Sequence, residues 1–198
     1  PDWFHIDCDW NDRLVDVSSA IPVLKELERD FPKISIWESP MKMGDASGNR
    51  LLRDQIDRAI AHRYGAVPIK TVIELGVCDG FVIGGGISKV MSDGKLSGQV
   101  HMPFFLQMVG TGLTTATALH LGAVLSHAWW PMVTCHELYE HNLLTKRLDV
   151  VGGAIRVPEE PGLGVEIDED AIARYRVDEP DLTLPRSLTV VHRPMGVN

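Results

Sequence analysis

The chain has 198 residues and a formal net charge of −8, from 19 Lys and Arg against 27 Asp and Glu. With 44% hydrophobic and 23% charged residues, the composition excludes a disordered or collagen-like chain and is typical of one folded domain. The negative balance argues against nucleic-acid binding through a broad basic face, and the apolar runs are shorter than the roughly 20 residues that cross a membrane.

Three cysteines, Cys8, Cys78 and Cys135, show neither CxxC spacing nor the even count of a disulfide framework. We therefore expect three reduced thiols in a cytoplasmic protein. The chain opens at Pro1 without an initiator Met and runs at once into an apolar segment. This start suggests that the chain continues a longer protein.

Short apolar runs alternate with helical patterns along most of the chain. In chain order, the predicted elements are strand 3–8, helix 17–31, strand 34–38, helix 47–60, strand 59–64, helix 68–75, strand 80–83, a helix starting over 87–91, strand 104–108, helix 111–125 and strand 133–138. Beyond Asn142, turn residues predominate and no long helix is expected. Alternation at about 25–30 residues per unit predicts βα units on a parallel sheet.

The helix over 17–31 has apolar residues every three or four positions, which predicts one buried face. Ser18 or Ser19 is its expected N-cap, and Pro22 is expected in its first turn, where a missing N–H costs least. Pro32 ends the helix.

Polar residues lie at the predicted carboxyl ends of the strands, where parallel α/β folds place their reactive groups. They are Asp7 with Asp9, Glu38, His62 with Arg63, Gln107, and His136 with Glu137. Acidic residues that close successive strands on one rim form an oxygen cage suited to Mg²⁺. Asn11 and Asp12 are expected in a turn, and the role of Asp9, as ligand or loop acid, stays open.

Four segments together resemble the enolase superfamily, and within it the mandelate racemase/muconate lactonizing enzyme group. Residues 6–11 (IDCDWN) are similar to the third barrel strand with its metal-binding Asp, and residues 36–41 (IWESPM) to the fourth strand with its metal-binding Glu. Residues 111–121 (TGLTTATALHL) resemble the helix after the seventh strand. Residues 157–170 (VPEEPGLGVEIDED) resemble the closing segment that returns to the capping domain.

The resemblance implies an α/β fold, a partial TIM-type (βα)₈ barrel of about six βα units plus a C-terminal return segment. Residues 1–150 would form the C-terminal part of the barrel, and residues 151–198 the segment that returns toward a capping domain outside this chain. An open barrel exposes the edges of its terminal strands, which also favours a longer protein.

The resemblance also implies a Mg²⁺-dependent enzyme that removes the proton α to the carboxylate of a small acid, leading to racemisation, epimerisation, cycloisomerisation or dehydration. Asp7, Glu38 and His62 would hold the metal. Glu137 would face the substrate and Gln107 would offer a hydrogen bond. The base would be His62 or a group upstream of Pro1. We further expect a homo-oligomer without nucleic-acid or membrane partners.

The chain departs from the pattern of the group at several positions. Gln107 stands where some members carry a catalytic His, and His62 stands near the end of the fifth strand, where an acid is usual. Asp79 matches either an acid at the end of the sixth strand or a residue that opens this strand at the opposite face, and the second alternative is favoured.

Two other classes of function remain open. A non-catalytic relative could keep the barrel and bind a ligand or partner. An unrelated phosphate binder could use the run Gly84-Gly85-Gly86 ahead of a helix, although this run lacks the spacing of known phosphate loops and is more simply a tight βα turn.

Overall fold

Five parallel strands form one sheet, and their spatial order is their order along the chain. The structure is a computed structural model that describes residues 6–177. Its strands are β1 (Ile6–Asp9), β2 (Ile34–Glu38), β3 (Ala59–Arg63), β4 (Gly80–Ile83) and β5 (Phe104–Leu106). This sequential parallel order is that of a half-barrel. The predicted strand over 3–8 begins outside the described residues.

A helix follows each strand and confirms the predicted βα alternation. The helices are α1 (Val17–Asp30), α2 (Ala46–Arg53), α3 (Ile69–Leu75), α4 (Ile87–Gln99), α5 (Gly112–Val124) and a short α6 (Glu169–Tyr175). Within residues 6–177, no helix is both long enough and apolar enough to cross a membrane.

The sheet is buried on both faces, as parallel sheets usually are. The outer face packs against the helices and includes Trp37, Ile60 and Phe81. The inner face points toward the barrel interior, and its buried cluster consists of Ile36, Ala61, Val82 and Phe105. Successive residues alternate between the two faces because side chains alternate along a strand.

Helix α1 begins after Asp16, not at the predicted Ser18 or Ser19. The Asp16 carboxylate accepts the backbone N–H of Ser19 at 2.9 Å, while the Ser19 hydroxyl oxygen accepts the N–H of Asp16 at 3.2 Å. This reciprocal pair is a capping box. Pro22 lies inside the helix, beyond the first turn where it was expected.

Helix α2 ends at Arg53, so the predicted helix over 47–60 is wrong in its second half. Ile56 and Ile60 are both buried, but Ile56 lies in the connection and Ile60 lies in β3. Their spacing of four fits one helix face, and tertiary contacts override that local pattern.

The predicted strand over 133–138 is also wrong. Val133 makes a single parallel bridge to Gln107, and a 3-10 helix over His136–Leu138 follows. Cys135 has a φ of 55°, which is incompatible with an extended strand. The sixth predicted unit therefore contributes a bridge to the sheet and not a strand.

Loops predominate beyond α5. Leu144 pairs with Ile167 in an isolated bridge and packs over the start of α5, where a Cβ on Gly112 would lie 2.5 Å from the Leu144 Cδ1. The division of the chain near residue 150 stays a prediction, and residues 178–198 of the predicted return segment lie outside the described residues.

Glu28 is a buried acid on α1 that joins three elements. Its Oε1 accepts hydrogen bonds from the Trp37 indole at 2.8 Å and the Arg58 N–H at 3.0 Å, and its Oε2 accepts the Asp57 N–H at 3.0 Å. One carboxylate thus holds α1 against β2 and fixes the chain where it enters β3. The sequence pattern alone did not distinguish Glu28 from exposed acids on the same helix.

We predict that Glu28→Ala lowers the free energy of unfolding by about 2–4 kcal/mol, because buried donors lose their acceptor. Urea denaturation measures this change. Glu26→Ala is the matched control, since Glu26 is 68% exposed and lies 4.0 Å from Arg29; its effect should stay within about 0.5 kcal/mol. Equal losses in the two variants would contradict the structural role of Glu28.

Candidate active site

The carboxyl ends of the strands carry polar residues on the inner face. Asp7 pairs with Ile36 of the inner cluster and Asp9 pairs with Glu38, so all three acids point to this face. By the same alternation, the inner-face positions at the ends of the next strands are Arg63, Gly84 and Gln107. We call these six residues the rim.

Asp7 and Glu38 lie close enough at the rim for a hydrogen bond between their carboxyl groups. Burial, with Asp9 as a second cause, raises the pKa of Asp7 to about 6. Burial and the charges of Asp9 and Asp7 raise the pKa of Glu38 to about 8. Both pKa values are raised because the carboxylates repel each other and are shielded from water, and a bound cation would offset this negative charge.

Asp9 is part of the turn that follows β1. Its Oδ1 accepts the Asn11 N–H at 2.8 Å and its Oδ2 accepts the Asn11 amide at 2.7 Å. Asn11 and Asp12 have positive φ values of 49° and 61°, which confirms the predicted turn. Both oxygens of Asp9 already have partners, which favours its role as a loop acid.

His62 does not lie with Asp7 and Glu38, contrary to the sequence-based expectation. It pairs with Phe81 of the outer face, and its side chain is only 2% exposed. Neither ring nitrogen has a hydrogen-bond partner within residues 6–177, and burial lowers the pKa of His62 to about 4. A histidine that faces the helices is neither a ligand nor a base for chemistry at the rim.

Arg63 takes the inner-face position that was assigned to His62. It pairs with Val82 of the inner cluster, and it is exposed at the end of β3. Ala59 pairs with Ile36 and Ala61 pairs with Glu38 on the inner face, so the two-residue repeat of the strand places Arg63 on that face as well. His62 and Arg63 are adjacent in β3 and point to opposite faces. A shift of one residue therefore replaces an expected metal ligand at the rim by a guanidinium.

Gln107 and Gly84 complete the rim. Gln107 donates its backbone N–H to Ile83 at 2.9 Å and bridges to Val133. A Cβ on Gly84 would lie 2.4 Å from the Gln107 backbone oxygen, so the close approach of the two segments requires glycine. Gly85 has a φ of 115°, which confirms a tight turn ahead of α4.

Glu137 lies in the 3-10 helix, where it contacts two cations or potential cations. Its Oε1 is 3.1 Å from the His136 Nε2, and its Oε2 is 3.5 Å from the Arg147 guanidinium. His136 is buried and its Nδ1 lies 3.0 Å from the Thr134 hydroxyl. The Glu137 side chain is 59% exposed and the buried His136 Nε2 makes no hydrogen bond within the described residues, so these contacts do not fix the carboxylate; its contact with a substrate stays a prediction.

Asp79 opens β4 at the amino end of the sheet, opposite the rim. Its carboxylate accepts the Arg53 guanidinium at 2.6 Å and the Ile60 backbone N–H at 2.8 Å. The favoured alternative from the sequence is confirmed: Asp79 holds α2 against the sheet and is not a rim acid.

Asp7 and Glu38 provide the oxygen donors that Mg²⁺ prefers. Mg²⁺ in proteins keeps several waters and is often bound through one or two carboxylates plus the substrate. Within residues 6–177, no cluster of three or more His, Cys, Asp or Glu side chains has the geometry of a metal site. The rim thus offers two carboxylates to a candidate Mg²⁺ site, and His62, the third ligand expected from the sequence, does not lie with them.

A parallel half-barrel with paired acids at its carboxyl rim is the architecture of one part of an enolase-type barrel. Residues 2–171 match the model of the enolase C-terminal domain-like family, and the chain belongs to that family. Its structural neighbours include members of the mandelate racemase/muconate lactonizing enzyme group.

The curated relatives are named as a cycloisomerase, a dehydratase, a synthase and an epimerase. The L-Ala-D/L-Glu epimerase of Clostridium acetobutylicum is 29% identical over 161 residues, which are 74% of this chain and 43% of the relative. The chain spans less than half the length of the curated relatives that it matches.

Solved structures share the fold at low identity. The 2-chloromuconate cycloisomerase of Rhodococcus opacus superposes with a TM-score of 0.75 at 20% identity, over 90% of this chain and 50% of that one. A dipeptide epimerase of Cytophaga hutchinsonii, complexed with Mg and the dipeptide D-Ala-L-Val, superposes with a TM-score of 0.72 at 22% identity, over 86% and 48%.

We predict that His62→Leu makes the protein less sensitive to acid. The folded pKa of His62 is about 4, below the ordinary 6.5, so the folded state binds fewer protons than the unfolded state between these values. Stability is therefore lost as the pH falls through this window. Between pH 7 and pH 5, the wild type should lose about 2 kcal/mol more unfolding free energy than His62→Leu.

Urea denaturation at the two pH values measures this difference, and acids whose pKa values are raised contribute equally to both proteins. His101→Asn is the control, because His101 is exposed and asparagine tolerates its positive φ of 56°. An unchanged pH dependence in His62→Leu would show that His62 is solvated or paired.

Proposed function

We propose that the protein abstracts the proton α to the carboxylate of a small acid in a Mg²⁺-assisted reaction, leading to racemisation, epimerisation, cycloisomerisation or dehydration. The observation that carries this proposal is the contact between Asp7 and Glu38 at the rim, with raised pKa values for both acids. Family membership and the named activities of the relatives support the same class of reaction.

Asp7 and Glu38 would hold the metal through their carboxylate oxygens. When bound, the metal supplies positive charge next to the substrate carboxylate, which stabilises the negative charge that develops as the α-proton leaves. Glu38 is only 2% exposed, so its oxygens keep a defined position and little water competes for them. Because the carboxylates bind a metal in their deprotonated form, metal affinity would also increase with pH.

Gln107 and Glu137 would contact the substrate. The Gln107 amide has donors and an acceptor but no titratable group, so its role is a hydrogen bond and not proton transfer. Glu137 lies near His136 and Arg147 and would face the substrate. Gln107 cannot take a proton and His62 faces the helices. Of the residues assigned to substrate contact, the Glu137 carboxylate would therefore accept the α-proton.

A second candidate is a non-catalytic relative that binds a small anion. Two observations favour it: Gln107 is not a base, and Arg63 places a positive charge at the rim position where His62 was expected as a metal ligand. In this alternative the rim binds a carboxylate but no proton leaves the α-carbon.

Exchange of the α-proton in D₂O tests the proposal. The full chain is incubated with MgCl₂ and a panel of small carboxylic acids, and deuterium at the α-carbon is followed by NMR. We predict that Asp7→Asn and Glu38→Gln each reduce the exchange rate by at least about 100-fold, because several kcal/mol of charge stabilisation are lost.

Asp149→Asn and Glu159→Gln are the matched controls, since both acids are exposed and lie far along the chain from the rim residues. Their exchange rates should equal that of the wild type. Binding of a panel acid without any exchange would favour the non-catalytic alternative. Exchange that persists in Glu38→Gln would contradict the assigned metal ligands.

A further inference from the structure

Arg63 is the positively charged member of the rim, and its position follows from strand geometry. It pairs with Val82, and it lies two residues beyond Ala61, which pairs with Glu38 and packs in the inner cluster. The Arg63 side chain therefore leaves β3 on the same face as Glu38, on the neighbouring strand.

The Arg63 guanidinium has unused hydrogen-bonding capacity. Within residues 6–177 it makes no hydrogen bond and no ion pair within 4.0 Å, although it is close enough for its charge to act on Glu38 and Asp12. A guanidinium has five N–H donors in a planar fork that matches a carboxylate. Arg63 is thus an exposed carboxylate-binding group beside the two acids.

The charges at the rim would make the binding of a cation and the binding of a carboxylate depend on each other. A divalent cation at Asp7 and Glu38 would be repelled by Arg63, and an anion at Arg63 would be repelled by the acids. A ligand carboxylate that reached both groups would offset the two repulsions at once, because its negative charge would attract the cation and the guanidinium alike. Cation and carboxylate would therefore bind cooperatively.

We propose that Arg63 binds the substrate carboxylate and couples its binding to that of the metal, so that each ligand tightens the other. The inference rests on the proposed metal role of Asp7 and Glu38. Coupling is reciprocal by thermodynamic necessity, and coupling between two sites typically changes affinities by about 5–150-fold.

Calorimetric titration of the full chain with MgCl₂ tests the inference, using lactate as the carboxylate probe and chloride at equal ionic strength as the reference. In the wild type, lactate should tighten Mg²⁺ binding at least about fivefold. In Arg63→Gln, Mg²⁺ should bind more tightly than in the wild type without lactate, and the effect of lactate should be lost.

Arg63→Lys distinguishes the effect of the positive charge from that of the planar guanidinium. Lysine keeps the repulsion of Mg²⁺ but cannot make the bidentate contact with a carboxylate. This variant should bind Mg²⁺ alone as weakly as the wild type and show a smaller lactate effect. Arg156→Gln is the control, because Arg156 is exposed in the C-terminal loops and should leave both measurements unchanged.

The same lactate effect in Arg63→Gln as in the wild type would overturn the inference, and so would an unchanged affinity for Mg²⁺ alone. Glu38→Gln distinguishes this failure from failure of the proposed function. If Glu38→Gln binds Mg²⁺ as tightly as the wild type under both conditions, the proposed metal role itself is wrong. If Glu38→Gln loses the metal while Arg63→Gln behaves as the wild type, only the role of Arg63 is wrong.

Discussion

The alternation of side chains along five parallel strands is the constraint on which the rest of this structure depends. Each pairing in register sends one set of residues to the helices and the other to the barrel interior. The helix-facing set becomes an apolar core, while the inner set changes from small and apolar residues to charged ones at the carboxyl ends. A functional rim thus arises from the same repeat that builds the core.

The rim places three acids and one arginine on neighbouring strands of the sheet. Burial and proximity raise the pKa values of Asp7 and Glu38, and Arg63 on the next strand offsets part of this effect at Glu38. Buried Glu28 and the ion pair of Arg53 with Asp79 fix β3 and β4 from the outside and from the amino end. The acids that stabilise the fold and the candidate metal-binding acids therefore lie in different places, although all are carboxylates.

Local sequence patterns predicted the bounds of strands and helices well where turn residues flank an apolar run. They predicted them poorly where tertiary contacts oppose a helical spacing of apolar residues. The bounds of β2 and β4 were predicted to the residue, because apolar runs there are bounded by Pro or Gly. Helix 47–60 was too long because Ile56 and Ile60 satisfied a helical spacing, while a hydrogen bond from the chain at residue 57 to Glu28 redirects the backbone. A short stretch of sequence does not show which distant residues it contacts in the folded chain.

The sequence by itself determined the family, the βα alternation and Asp7 and Glu38 as the candidate metal-binding acids, because these depend on residue order and on motifs. Only the tertiary structure decided between His62 and Arg63, since adjacent strand residues differ in the face to which they point and a shift of one residue reverses that choice. It likewise decided that Asp79 serves the fold and that Glu28 is buried, because burial and partners come from packing and not from the residue itself.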